Sequence, residues 1–191
     1  MHVFKRILIA LYSIIWRLVN IVEFYKMKKR YGQLNVRQLK AGSGGMYKFI
    51  VELPESYPIL IKKHNFFSEL WLSLNGVYKI AAPYTQKHRN FNDIANVLEF
   101  ILNSNLKQHT FLISVDREKK EYWQEYSVDS MSELDYSTPS IIDNIEKIME
   151  EFKDEGLQSL DHSIRNFLVL DDKLYLVDLE ELYLLDTKST K

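Results

Sequence analysis

The sequence contains no cysteine. Disulfides, thiolate zinc sites and cysteine nucleophiles are therefore excluded, while the compartment stays open. It also lacks an excess of either charge. Twenty-five Lys and Arg stand against 26 Asp and Glu, a formal net charge of −1. Such a balance gives no global basic field, and nucleic acid is not expected as a partner. The five histidines, His2, His64, His88, His109 and His162, show no metal-ligand spacing. Internal repeats and low-complexity tracts are missing too. The one long uncharged, mostly apolar run, residues 7–16, is too short to cross a bilayer, and Arg17 interrupts its continuation. Glycine is scarce at 6 residues, yet three of them crowd into Gly42, Gly44 and Gly45. What remains is an ordinary globular composition over 191 residues, 46% hydrophobic and 27% charged. That suffices for one domain with a proper core and a short appendage.

The appendage is residues 3–25, which carry the strongest helical pattern. Arg6, Ser13, Arg17 and Asn20 recur at spacings of seven, four and three, a narrow polar stripe on an otherwise apolar helix. Lys5 and Arg6 precede the apolar stretch, and Lys26, Lys28, Lys29 and Arg30 follow it. No small-residue cleavage site follows, as a signal peptide would need. Two coverings fit so large an apolar face. One is an anionic membrane surface, met by residues 3–30 with the basic flanks on the headgroups. The other is the core of the protein's own domain. Amphipathicity alone does not choose between them.

Residues 39–63 read as strand, glycine turn, strand, turn, strand. Gly42, Ser43, Gly44 and Gly45 form the turn, where backbone N–H groups can approach an anion because no Cβ intervenes. Alternation along Ile59, Leu60, Ile61 and Lys62 places Lys62 with Leu60 on one face and turns Lys63 away. Phe66, Phe67, Leu70, Trp71 and Leu74 suggest a helix burying aromatic rings. A clearer helix spans 92–105, where Ile94, Val97, Leu98, Ile101 and Leu102 share a face and Glu99 lies beside it. Residues 110–126 form a hairpin with a charged turn at 116–120, ending in Gln124, Glu125 and Tyr126. A long amphipathic helix then runs from Pro139 through Lys153, and Gly156 caps it.

The most informative stretch is 156–180. A polar turn leads into two short apolar runs, 167–170 and 174–177, joined at Asp171 to Lys173 and halted by Asp178. Asp161, Asn166 and Asp178 fall at loop or strand-end positions. Carboxylate, carboxamide and carboxylate are hard oxygen ligands suited to Mg²⁺ and the phosphates it bridges.

In their order, these elements resemble the protein-kinase-like superfamily over nearly all of the chain after the first helix. Within it, the likeness is to small bacterial kinases of lipopolysaccharide-core sugars. Ser159, Leu160 and Asp161 stand where H-x-D is usual, and Val177, Asp178, Leu179 and Glu180 where D-F-G is usual. Aminoglycoside and choline phosphotransferases similarly carry D-x-E. The resemblance implies an α+β, two-lobed protein-kinase-like fold with an antiparallel small-lobe sheet and a reduced helical large lobe. The expected divisions are the helix at 1–31, the small lobe at about 32–126 and the large lobe at about 127–191. ATP and Mg²⁺ are the cofactors it implies. Gly42, Ser43, Gly44 and Gly45 would cover the phosphates, and Lys62, paired with Glu99, would orient them. Glu69 is the runner-up partner for Lys62. Backbone groups at Glu125 and Tyr126 would receive adenine, Asn166 and Asp178 would hold the metal, and Asp161 would be the catalytic base.

The implied activity is transfer of the γ-phosphate to a sugar or lipid-linked hydroxyl. Its expected place is the cytoplasm, on the inner face of the cytoplasmic membrane if the first helix binds lipid. The resemblance also leads one to expect further helices after Asp178, where only residues 181–191 follow. A non-catalytic kinase-like module working at a membrane or with a partner protein is the alternative. A helical, membrane-associated structural protein with no ligand is a third class, and it explains none of the polar residues above.

Overall fold

The computed structural model describes residues 2–39, 47–65, 90–126, 139–159, 166–171 and 173–185. The glycine turn 42–45, the aromatic helix expected after Phe66, Glu69 and Asp161 lie outside these residues. The chain opens with helix α1, His2–Tyr31, six residues longer at its C-terminal end than the apolar pattern predicts. The extension is its basic last turn, Lys28, Lys29 and Arg30, favourably placed at the negative end of a helix dipole.

Five short strands follow as one antiparallel sheet. They are β1 (Val36–Gln38), β2 (Tyr47–Val51), β3 (Ile59–Lys63), β4 (Leu112–Asp116) and β5 (Glu121–Glu125), in spatial order β1-β2-β3-β5-β4. Period-two alternation decides what each face sees. Tyr47, Phe49 and Val51 of β2 and Ile61 of β3 are buried against Met27, Phe24, Val19 and Tyr31 of α1. Two ion pairs fix α1 on that face. Lys63 Nζ lies 3.0 Å from Glu23, which is nearly buried, and Arg30 Nη1 lies 2.5 Å from the fully buried Glu121. Lys63 thus faces away from Lys62, as alternation predicts, and finds a carboxylate there. Removing one partner of a buried pair costs about 3–5 kcal/mol, so α1 is held in one register on the sheet.

Covering the sheet uses one side of α1. The other side leaves Leu11, Ile14, Ile15, Leu18, Ile21, Val22 and Tyr25 between 41% and 66% exposed. Of the two coverings foreseen for this helix, the protein's own sheet takes one side, and the other side stays exposed. No helix among the described residues is long and apolar enough to cross a membrane.

The second core joins helix α2 (Phe91–Leu102) and helix α3 (Pro139–Asp154) to β4, β5 and four short strands. Helix α2 starts with a reciprocal cap: Asn90 accepts from the Asp93 N–H, and Asp93 accepts from the Asn90 N–H. Its Ile94, Val97, Leu98 and Ile101 are buried, as the spacing predicts. Strand β6 (Leu157–Ser159) pairs with β9 (Leu182–Leu184), and β7 (Phe167–Leu170) with β8 (Lys173–Leu176). Gly156, at φ 85°, makes the left-handed turn between α3 and β6 and accepts from the Leu185 N–H at 2.7 Å. The pairing of β6 with β9 is not evident from sequence, because each strand has three residues and no alternation to read.

Candidate active site

The two cores meet at Lys62. Its position opposite Tyr122 of β5 and Lys48 of β2 turns the side chain from α1 toward the end of the β7–β8 hairpin. Only 3% of that side chain is exposed. Lys62 Nζ donates to the Val177 carbonyl at 3.1 Å, to Asp178 Oδ1 at 3.2 Å and to Glu180 Oε2 at 2.8 Å. An ammonium has three donors, and all three are used. Gln124 Nε2 donates to the same Val177 carbonyl at 3.3 Å, and the Tyr122 hydroxyl donates to Glu180 Oε2.

The hairpin delivers these acids by simple means. Strands β7 and β8 end level with each other, and the Val177 N–H donates to the Asn166 carbonyl at 2.8 Å. Asn166 and Asp178 are thereby brought to the same end of the hairpin. A 3₁₀ turn, Leu179–Glu181, follows; Leu179 is fully buried in the lower core, so Asp178 and Glu180 on either side turn toward Lys62. Asp178 sits at the head of that turn without capping it, which leaves its carboxylate for other work. A parallel bridge between Thr110 and Leu176 ties the hairpin to the chain entering β4.

The electrostatics follow from burial. Burial pushes Lys62 toward its neutral form, but Glu180 and then Asp178 outweigh it and hold its pKa above the ordinary value. Burial likewise pushes Glu180 up, yet Lys62, with help from Lys48, drives it far below the usual carboxylate range. Asp178 goes the other way: burial, then the negative charge of Glu180, raise it against the pull of Lys62. Two neighbouring carboxylates, one of them reluctant to ionise, would be relieved by a hard divalent cation, and Asn166 lies at the same end of the hairpin as Asp178. The residues present fit Mg²⁺.

Other expectations fare differently. The pair between Lys62 and Glu99 does not form. Glu99 lies on the solvent side of α2 and takes a two-pronged contact from Arg117 in the β4–β5 turn, at 2.6 Å to each oxygen. That bond, more than slight burial opposes, lowers the Glu99 pKa. The physical reason is helical phase. Leu98 and Ile101 claim the buried face, leaving Glu99 beside the turn and far from the lysine it was expected to meet. Its place is taken by Glu180. At the expected adenine edge, the Glu125 N–H donates to the Phe111 carbonyl at 2.9 Å, and the Tyr126 N–H to the Pro58 carbonyl at 2.8 Å. Both donors are spent within the sheet. Glu180, Tyr122 and Lys48 are the residues missed from sequence. Glu180 had a signal, the D-x-E spacing after Asp178; the other two become visible only through strand register.

A sheet of order β1-β2-β3-β5-β4, joined to a helical part by a strand lysine that meets an aspartate beyond a hairpin, is the protein-kinase-like fold. The described residues thus have an α+β fold of that kind, with few helices in the second part. No family model and no curated relative matches the sequence. Among solved structures it is similar to Rv3197 of Mycobacterium tuberculosis, determined in complex with erythromycin, at a TM-score of 0.52 and 14% identity. That match covers 84% of this chain and 49% of the other, so the chain spans about half the length of that protein. It is also similar to the choline kinase LicA of Streptococcus pneumoniae, at a TM-score of 0.46 and 14% identity, over 86% of this chain and 70% of that one. Likeness at this identity is a likeness of fold.

Proposed function

We propose that the chain is an ATP-dependent phosphotransferase that moves the γ-phosphate onto a hydroxyl of a sugar or lipid-linked glycan. One observation carries the reading. A lysine of the sheet, almost wholly buried, is bonded to an aspartate 116 residues later, at the end of a hairpin whose other strand begins just after Asn166. Burying a lysine against two part-buried carboxylates is costly, and a site that must hold phosphate and metal supplies a reason for it. In this reading Lys62 orients the phosphates, and Gly42, Ser43, Gly44 and Gly45 cover them. Asp161 accepts the proton of the attacking hydroxyl and aligns it. Asn166 and Asp178 would hold Mg²⁺, which when bound neutralises charge on the transferring phosphoryl group. The sugar or lipid-linked acceptor rests on the resemblance to lipopolysaccharide-core kinases and on the exposed apolar side of α1.

The test is a melting curve with and without Mg-ATP, beside transfer of labelled phosphate from ATP to a membrane extract. Saturation at a hundredfold over Kd should stabilise the protein by about 2.7 kcal/mol. Protein that neither shifts its melting point nor transfers label would end the kinase reading. One finding favours the second reading, a nucleotide-binding module without catalysis: Glu99 is turned to Arg117, and all three Lys62 donors are already bonded within the protein. A melting shift with no transfer to any membrane or sugar acceptor would select it.

Attachment to the inner face of the cytoplasmic membrane belongs to the same proposal. The exposed side of α1 presents Leu11, Ile14, Ile15, Leu18, Ile21, Val22 and Tyr25, with Arg17, Lys26, Lys28 and Lys29 also exposed. The protein should float with anionic vesicles and detach as salt screens the lysines. Ile14→Glu with Leu18→Glu, both far from the sheet-facing side, should abolish flotation without unfolding. Flotation unchanged by that pair would remove the membrane from the proposal.

A further inference from the structure

We infer that Lys48 is a second phosphate-binding cation, which works beside Lys62 on the polyphosphate of a nucleotide; this rests on the nucleotide reading of the site. The first ground is register. Lys48 and Lys62 are direct partners across β2 and β3, and alternation is fixed because Tyr47 and Phe49 on either side of Lys48 are fully buried on the opposite face. Like charges directly opposed across a sheet are destabilising. Among the described residues, the carboxylates that offset their juxtaposition are Asp178 and Glu180. Lys48 Nζ stands 4.0 Å from Asp178 Oδ1 and 3.9 Å from Glu180 Oε1.

Those distances are the second ground. They lie within reach of an ion pair and beyond that of a hydrogen bond. Lys62, by contrast, spends all three donors on Val177, Asp178 and Glu180. Of the two ammonium groups aimed at the acidic pair, Lys48 is therefore the one whose donors are not committed to it. Its side chain is 25% exposed against 3% for Lys62, so an arriving anion meets Lys48 first. It also stands three residues after Gly45 in the sequence, near the start of β2.

The charges also balance. Two lysines and two carboxylates cancel, so an anion alone gains little net attraction. A divalent cation engaged by the carboxylates would leave both lysines for phosphate oxygens. The ligand class is a nucleoside di- or triphosphate taken with its metal, and a nucleoside without phosphate should be indifferent to Lys48. Charge-assisted hydrogen bonds to phosphate set the size of the effect, about tenfold or more in affinity.

The experiment is a calorimetric titration of the full-length protein, as wild type, Lys48→Met and Lys48→Arg, with Mg-ADP and separately with adenosine. Lys48→Met should bind Mg-ADP about tenfold or more weakly. Lys48→Arg should keep most of that affinity, and adenosine should bind all three proteins alike. Without ligand, Lys48→Met should melt somewhat lower, because the relieved Lys48–Lys62 repulsion is outweighed by loss of the pull of Lys48 on Glu180 and Asp178, so the readout is affinity and not stability. Lys48→Met binding Mg-ADP as tightly as wild type would overturn the inference while leaving the nucleotide site intact. So would an equal loss for adenosine and Mg-ADP, which would mark Lys48 as structural. Wild-type protein that takes up neither ligand would instead bring down the nucleotide reading, and this inference with it.

Discussion

Lys62→Met is expected to melt far below the wild type and to lose every response to Mg-ATP. The variant keeps the length of the side chain and removes its charge, so that Glu180 and Asp178 lose the ammonium at 2.8 and 3.2 Å and keep the longer-range contact of Lys48. Breaking a buried ion pair from one side costs about 3–5 kcal/mol, a large part of the stability of a domain this size. The loss should depend on pH in a definite direction. In the wild type the folded-state pKa of Glu180 is depressed from 4.5, so its contribution is present above that value and fades as pH falls toward the folded value. Without Lys62, burial dominates and raises Glu180 instead. Its ionised form then destabilises the variant at neutral pH, and protonation relieves the strain. The gap between the two melting temperatures should therefore narrow from pH 7 to pH 4. Adding Glu180→Gln to Lys62→Met should recover part of the loss, because the orphaned charge is gone. A single variant melting within a degree or two of wild type, with no pH dependence in the difference, would show that Lys62 is not the buried partner of these acids.

Much of this arrangement is legible in the sequence because it depends on local pattern. The apolar alternation of β3 fixes which way Lys62 and Lys63 point, and both point as alternation requires. The periodicity of α2 and α3 gives their extent within a few residues, and the acid-rich turn between β7 and β8 marks the hairpin. What escapes is set by long-range geometry. Glu99 has the expected residue type on the expected helix, but helical phase turns it to Arg117 and not to Lys62, and no spacing rule resolves that. Tyr122 and Lys48 matter through strand register, which the short turns of this sheet leave open. The first helix shows a third case. Its amphipathic pattern reads as one apolar face, whereas the structure has two, because Glu23 and Arg30 dock one side on buried or half-buried partners of the sheet. Polar residues inside a helix pattern look like a solvated stripe until their partners are known.

Asp161→Asn and Asp178→Ala should fail in opposite ways, and the contrast separates an enzyme from a binding module. Asn keeps the size and most of the hydrogen bonding of Asp161 but cannot take a proton from the acceptor hydroxyl. General-base contributions of about 10²–10⁴-fold are typical, so transfer should fall by that order while the melting shift with Mg-ATP stays. Asp178 answers to a different test. Its pKa is raised in the folded state, by burial and by Glu180, so its charge works against folding at neutral pH. Asp178→Ala should therefore melt no lower than wild type in the absence of ligand, although Lys62 loses one of its three acceptors. In the presence of Mg-ATP the same variant should lose the magnesium-dependent part of the shift, because a native-state ligand stabilises only through the groups that hold it. A residue that merely buttressed the fold would behave the other way, lowering the melting point with and without ligand by the same amount. If Asp161→Asn transfers phosphate at the wild-type rate, catalysis does not run through that carboxylate, and the resemblance has assigned the base wrongly. If transfer drops and the melting shift remains, Asp161 acts in the chemical step and Asp178 in holding the nucleotide that supplies it.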